Sequence, residues 1–215
     1  MSTRLGFLRA ALLALPLLIA TTAGAAPVTI TMTGVLDTVD DPLTGTFAVG
    51  QAFTINYTFE STTAPRDGST SNGAVYDALS TFDFTVGGFT GTSTGPQEIQ
   101  IDNDLVFPDH DRYAVVTGAS DIITAPPVGA FDLAWFFVRL DDTTNSAISD
   151  ALILPTSLDV NDFDSTTFFA SFSNDAGDAL ITGHITSIVP EPSSIVLGGF
   201  GLLGLGLAAW RRRAV

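Results

Sequence analysis

This 215-residue chain contains no cysteine and no lysine, and each absence closes a class of explanation. Without cysteine there is no disulfide framework to staple an exported domain, so stability has to come from an ordinary apolar core. The same absence removes a lipoprotein anchor. It also leaves His110 and His184 as the only two imidazoles, too few for a convincing zinc site. Positive charge is scarce as well. Arg4, Arg9, Arg211, Arg212 and Arg213 sit at the chain ends, which leaves Arg66, Arg112 and Arg139 against 22 carboxylates in between. A field that negative repels nucleic acid and anionic polymers, so DNA binding is the least expected function. The acidity reads first as solubility outside the cell. Helical periodicity is missing too, since no stretch ahead of the C-terminal tail places apolar residues at helical spacing.

What is present starts at the two ends. Residues 1–25 read as a secretory signal peptide: Arg4 and Arg9 precede an apolar run over 10–20, and Ala23-Gly24-Ala25 supplies an Ala-x-Ala site for signal peptidase, with cleavage after Ala25. At the other end, residues 193–210 are 18 residues without a charge. At about 1.5 Å of rise each they span roughly 27 Å as a helix, close to the ~30 Å hydrocarbon thickness of a bilayer. Their five glycines (Gly198, Gly199, Gly201, Gly204 and Gly206) weaken a helix in water but are tolerable where lipid forces the backbone to satisfy itself. Trp210 falls at an interface, and Arg211, Arg212 and Arg213 stay on the cytoplasmic side. The rest of the chain then lies outside the inner membrane. Pro190 and Pro192 block helical continuation upstream, so Val189, Pro190, Glu191 and Pro192 are expected as an extended strip that a membrane-embedded processing enzyme can bind.

This ordered set, Val189-Pro190-Glu191-Pro192 followed by the apolar run and the terminal arginines, resembles the PEP-CTERM sorting signal of Gram-negative exopolysaccharide producers. The likeness covers about an eighth of the chain. It implies recognition by an exosortase, removal of the tail, and delivery to the cell surface or extracellular matrix after transient anchoring in the inner membrane. The same tail also carries the name ice-binding protein C-terminal domain, which describes the tail and is not evidence of ice binding.

The region between the signals, 26–187, is expected to be one all-β domain, an antiparallel β-sandwich of jelly-roll or immunoglobulin-like connection, followed by the sorting tail at 188–215. In 28–35, Val28, Ile30 and Met32 alternate with Thr29, Thr31 and Thr33. In 53–60, Phe53, Ile55, Tyr57 and Phe59 alternate with Thr54, Asn56, Thr58 and Glu60. Period two predicts half-buried strands. Phe82, Phe84 and Val86 repeat the pattern up to Gly87-Gly88, a hairpin signal before 89–94. Further strands are expected over 98–101, 113–117, 131–140, 167–172 and 180–188. The nearly continuous apolar run 131–140 reads as a central strand covered on both faces, and the polar stretch 61–73 as a mobile loop.

Several residues in this domain invite a chemical reading. Gly91-Thr92-Ser93-Thr94-Gly95 spells a nucleophile elbow, but a further strand candidate follows where an elbow requires a helix, so no catalytic residue is assigned. Asp102, Asn103, Asp104, Asp109 and Asp111 form the best cation candidate, with Asp102, Asp104, Asp109 and Asp111 as carboxylate ligands suited to calcium, although the spacing is not that of an EF-hand loop. Asp141-Asp142 and Asp159, Asp162, Asp164 are thinner clusters of the same kind. The simpler reading of all three is turn aspartates that accept hydrogen bonds from their own backbone. His184 alternates with Ile181 and Ile185 and is expected to face outward. Trp135, with Phe131, Phe136 and Phe137, is read as core rather than as a sugar-stacking surface. The row Thr29, Thr31, Thr33 is read as an ordinary polar strand face.

Two functions are compatible with these observations. The first is an exported, non-catalytic structural or adhesive module of an exopolysaccharide layer, with exosortase and signal peptidase as processing partners. The second is a carbohydrate-active module, either a lectin-like binder using calcium or a small hydrolase with a carboxylate pair. A concave face with exposed aromatics and two carboxyl groups roughly 5 to 10 Å apart would favour the second, and a closed sandwich with scattered surface aspartates the first.

Overall fold

The computed structural model describes residues 27–190, apart from 95–96, 107–108 and 118–121. The signal segment 1–25, Glu191, Pro192, the candidate span 193–210 and the terminal arginines lie outside the described residues. Eleven strands carry the fold: β1 (Pro27–Val39), β2 (Ala52–Glu60), β3 (Gly73–Tyr76), β4 (Leu79–Val86), β5 (Phe89–Thr94), β6 (Glu98–Val106), β7 (Asp109–Val116), β8 (Ile122–Thr124), β9 (Asp132–Asp142), β10 (Ser165–Asn174) and β11 (Gly177–Pro190). The only helical pieces among the described residues are two three-residue 3-10 turns, Asp41–Leu43 and Val160–Asp162. All pairings between strands are antiparallel. The expected all-β, antiparallel class is what the chain forms.

The strands join in one sheet, in the order β3-β6-β7-β9-β10-β11-β1-β2-β4-β5-β8, which curls so that its halves pack face to face. Period-two alternation places Phe53, Ile55, Tyr57 and Phe59 of β2 inside, while Thr54, Asn56 and Thr58 turn outward. Across the core, Phe53 meets Phe168 of β10 at 4.7 Å between ring centroids, Phe82 of β4 meets Phe136 of β9 at 4.6 Å, and Phe84 meets Phe168 at 5.0 Å. The Tyr57 hydroxyl donates to that of Tyr113 on β7 at 3.2 Å, which satisfies two polar groups inside the aromatic layer. Each fully buried Phe contributes roughly 1.5–3 kcal/mol, and each aromatic pair about 0.5–1.5 kcal/mol more. That is how a chain with no cysteine holds a sandwich-like shape.

The bend is made at β1 and β11. Their register shifts between Thr33 and Gly34 and again between Leu36 and Thr38, and bulges of this kind increase local twist and turn a sheet corner. A Cβ on Gly34 would lie 2.1 Å from the His184 carbonyl oxygen and 2.4 Å from the Phe53 ring. One on Gly183 would lie 2.5 Å from the Val35 carbonyl oxygen and 2.7 Å from the same ring. Phe53 therefore seats against bare backbone at the corner, and only glycine leaves room for it.

Two expectations change. The stretch 61–73 is tied down rather than mobile: the Arg66 amide donates to the Val75 carbonyl at 2.8 Å, and its guanidinium pairs with Asp77 and, at 2.9 Å, with Glu98. Strand β9 is central in the sheet order, but only its inner face is covered. Opposite Ser171 and Phe172 the register shifts so that Ala134 is an extra residue between Leu133 and Trp135. Leu133, Phe136, Val138 and Leu140 are buried, whereas Trp135 is 43% exposed.

Candidate functional site

The carboxylate clusters divide once their hydrogen bonds are traced. Asp111 on β7 and Asp142 on β9 are register partners, both buried, an arrangement that like-charge repulsion disfavours. Each is loaded with donors. Asp111 accepts from the Asp104 amide at 3.0 Å and the Ile148 amide at 2.8 Å. Asp142 accepts from the amides of Thr144, Ser146 and Ala147 at 2.8, 2.8 and 2.9 Å, and from the Thr144 and Ser146 hydroxyls. Burial by itself would raise the Asp142 pKa. The donors from Ser146, Thr144 and Ala147 outweigh it and hold this carboxyl well below the usual carboxylate range. The pair thus orders the loop after β9. Its amide grip also holds Asp104, whose φ of +52° is unusual for a residue other than glycine.

The remaining calcium candidates are Asp102, Asp104 and Asp109. Asp102 faces Arg112 across β6 and β7; burial pushes its carboxyl up, while Arg112 and His110 pull it back. Asp104 is exposed at the irregularity between Asp102 and Leu105, and the Asp109 side chain is outside the described set. Among the described residues no group of three or more His, Asp or Glu side chains is placed to hold a metal ion. In the third cluster, Asp159 caps a 3-10 turn by accepting from the Asn161 amide at 2.9 Å, and Asp164 accepts from Thr143. Turn aspartates bonded to nearby backbone account for most of these contacts.

Ser93 is buried in β5, in register with Phe82 and Ile123, and the next element is strand β6. A nucleophile elbow needs a strained strand-to-helix turn. Gly91 has a packing reason: a Cβ there would meet the Phe84 ring at 2.5 Å and Leu133 at 2.6 Å. His184 faces outward as expected and bonds to Asp37 at 2.8 Å. His110 is buried, with Nε2 3.6 Å from Asp141.

Of the aromatics that sequence reasoning assigned to the core, Phe136 is buried and Phe131 packs against the core, but Trp135 and Phe137 lie on the outer surface of β9, beside Phe169 of β10. Trp135, Phe137 and Phe169 have ring centroids 4.7–5.6 Å apart and planes within 30° of one another. Phe137 and Phe169 are register partners, and Trp135 sits opposite Ser171. Two residues on from Phe137, Arg139 places Nε 2.8 Å from Asp141, whose other oxygen is 2.7 Å from Nε of Arg112. The signal was available: Trp135, Phe137 and Arg139 share one parity. The apolar residues of opposite parity hid it by making the run look continuous.

At the C-terminal end, β11 continues to Pro190. Val189 pairs with Thr31 and Pro190 with Ile30 of β1, and Val189 is 53% exposed. Pro27 opens β1, which runs antiparallel to β11, so the start of the described domain and the departure point of the tail share one end of the sheet. Residues 189–213 match the model of the PEP-CTERM protein-sorting motif. The chain carries a PEP-CTERM sorting tail. No curated protein and no solved structure matches the chain. The motif marks an exported protein that an exosortase sorts and that is transiently anchored in the membrane. The first two residues of the PEP-CTERM match, Val189 and Pro190, lie in the ladder of the β domain.

Proposed function

We propose that this protein is a non-catalytic structural or adhesive module of an extracellular polysaccharide layer, released from the inner membrane of a Gram-negative cell by exosortase cleavage of its tail. The observation that carries the reading is the PEP-CTERM match at residues 189–213, which begins within the last strand, Gly177–Pro190, of the β domain. An acidic domain held by an aromatic core suits a protein that stays soluble outside the cell without disulfides. The exposed ring cluster at Trp135 favours carbohydrate binding as the adhesive chemistry.

Mass spectrometry of the protein recovered from culture supernatant and from envelopes tests this. The expected extracellular form begins after Ala25 and lacks Arg211, Arg212 and Arg213. Recovery of an intact C-terminus from the extracellular fraction overturns the processing claim. Glu191→Ala is expected to leave the precursor in the inner membrane, and unchanged export of that variant counts against exosortase recognition.

A further inference from the structure

We propose that the outer face of β9 and β10, centred on Trp135, Phe137 and Phe169, is a binding surface for a neutral polysaccharide chain. The three rings stack on one another, with centroids 4.7–5.6 Å apart and planes within 30° and with Phe169 nearest to both others, and form a small apolar plate whose main open surface is Trp135, 43% exposed. The axial C–H face of a pyranose ring is apolar and slightly positive, which suits the negative face of an aromatic ring. Hydrogen-bonding groups border the plate: Thr182 is the register partner of Phe169, and Arg139 follows Phe137 on the same strand face. A sugar can stack on the rings and reach these donors with its hydroxyls.

Three observations choose this occupant over others. The first is area. At roughly 200 Å² per aromatic side chain, a 43% exposed Trp135 and two mostly buried phenylalanines present no more than about 230 Å². A stable protein interface takes about 800 Å² from each partner, so the plate is too small for a second copy of the chain, which would also bring its own 23 carboxylates. The second is charge. Arg112 and Arg139 both lie against Asp141, Asp102 faces Arg112, and the exposed Asp132 lies opposite Ser173 beyond Trp135, so the border offers no excess of positive charge. That favours a neutral polymer over a polyanion. The third is position. Thr182, beside the plate, lies eight residues before Pro190 on β11, about 26 Å along the strand. The described strand ends at Pro190, so the plate is set back along the sheet from the point where the sorting tail begins.

Presentation to a matrix rests on the proposed function; the binding itself does not, and the two fail separately. The test uses the full chain carrying Trp210→Phe in lipid nanodiscs, which leaves Trp135 as the only tryptophan. Hydroxyethyl cellulose, dextran and alginate are titrated while its fluorescence is followed. A saturable shift with at least one neutral polymer is expected, weakened at least tenfold by Phe169→Ala and unchanged by Thr85→Ala on the opposite outer face. Trp135→Ala, followed by retardation in gels cast with the same polymer, gives a second reading, with circular dichroism checking that each variant is folded. No response to either neutral polymer, a response to alginate alone, equal binding by Trp135→Ala, or quenching of Trp135 by bilayer-embedded quenchers each overturns the proposal.

Discussion

The two outward faces of this curled sheet share one strand geometry and carry opposite chemistry. On β1, β2, β4 and β5 the outward residues are hydroxyls, an amide and a carboxylate that satisfy each other across strands. The Thr29 and Thr58 hydroxyls are 2.9 Å apart, Thr31 donates to Asn56 at 2.9 Å, and Asn56 donates to Asp83 at 3.2 Å. On β9 and β10 the same positions in the alternation hold Trp135, Phe137 and Phe169 beside an arginine–aspartate network. Both halves contribute phenylalanine inward. Folding thus explains the inner set and leaves the outer sets free to differ. The hydroxyl face completes its own hydrogen bonds, whereas the ring face exposes apolar surface that the fold does not require.

Substitutions can break or sharpen that contrast. The largest effect is expected at the corner that both faces depend on: Gly183→Val drives side-chain atoms into the Val35 carbonyl and Phe53 and should cost upwards of about 3 kcal/mol, read as loss of the cooperative urea transition. Next is Asp142→Ala, which leaves the loop donors of Thr144, Ser146 and Ala147 without their acceptor and should cost about 2 kcal/mol. Because the folded pKa of Asp142 lies below its unfolded value, its contribution is fully present above about pH 5 and declines as pH falls through the unfolded value near 4 and below. Thermal melts from pH 7 to pH 3 should therefore fall less steeply for Asp142→Asn than for the parent. The smallest effects separate the faces. Asn56→Ala breaks a cross-strand chain of bonds and should cost about 1 kcal/mol, while Trp135→Ala, on a half-exposed ring, should cost less than about 1 kcal/mol. A Trp135→Ala penalty above 3 kcal/mol would make the rings structural and erase the contrast.

The alternation of Phe53, Ile55, Tyr57 and Phe59 with polar residues made β2 legible, because one face of that strand is wet and the other dry. Strands β3 and β8 were not legible. They have four and three residues, too short to display a period, and they pair because the sheet has edges there. The parity of β9 was obscured by its extra residue, Ala134, and by apolar side chains on both faces. The acidic clusters were visible, and the partners of Asp142 are the local turn donors that a turn aspartate implies; the Ile148 amide that Asp111 accepts from was not, since it lies 37 residues away and arrives only through tertiary folding.

By itself the sequence determined the strand class, the absence of covalent staples, the acidic balance and the sorting tail, because composition, period and a contiguous motif are local properties. Only the tertiary structure decided which face of β9 meets water, that Gly34 and Gly183 make the corner, and that Phe169 joins Trp135 and Phe137. Those depend on how a bulged, twisted sheet curls, and curl is set by contacts between residues far apart in the chain.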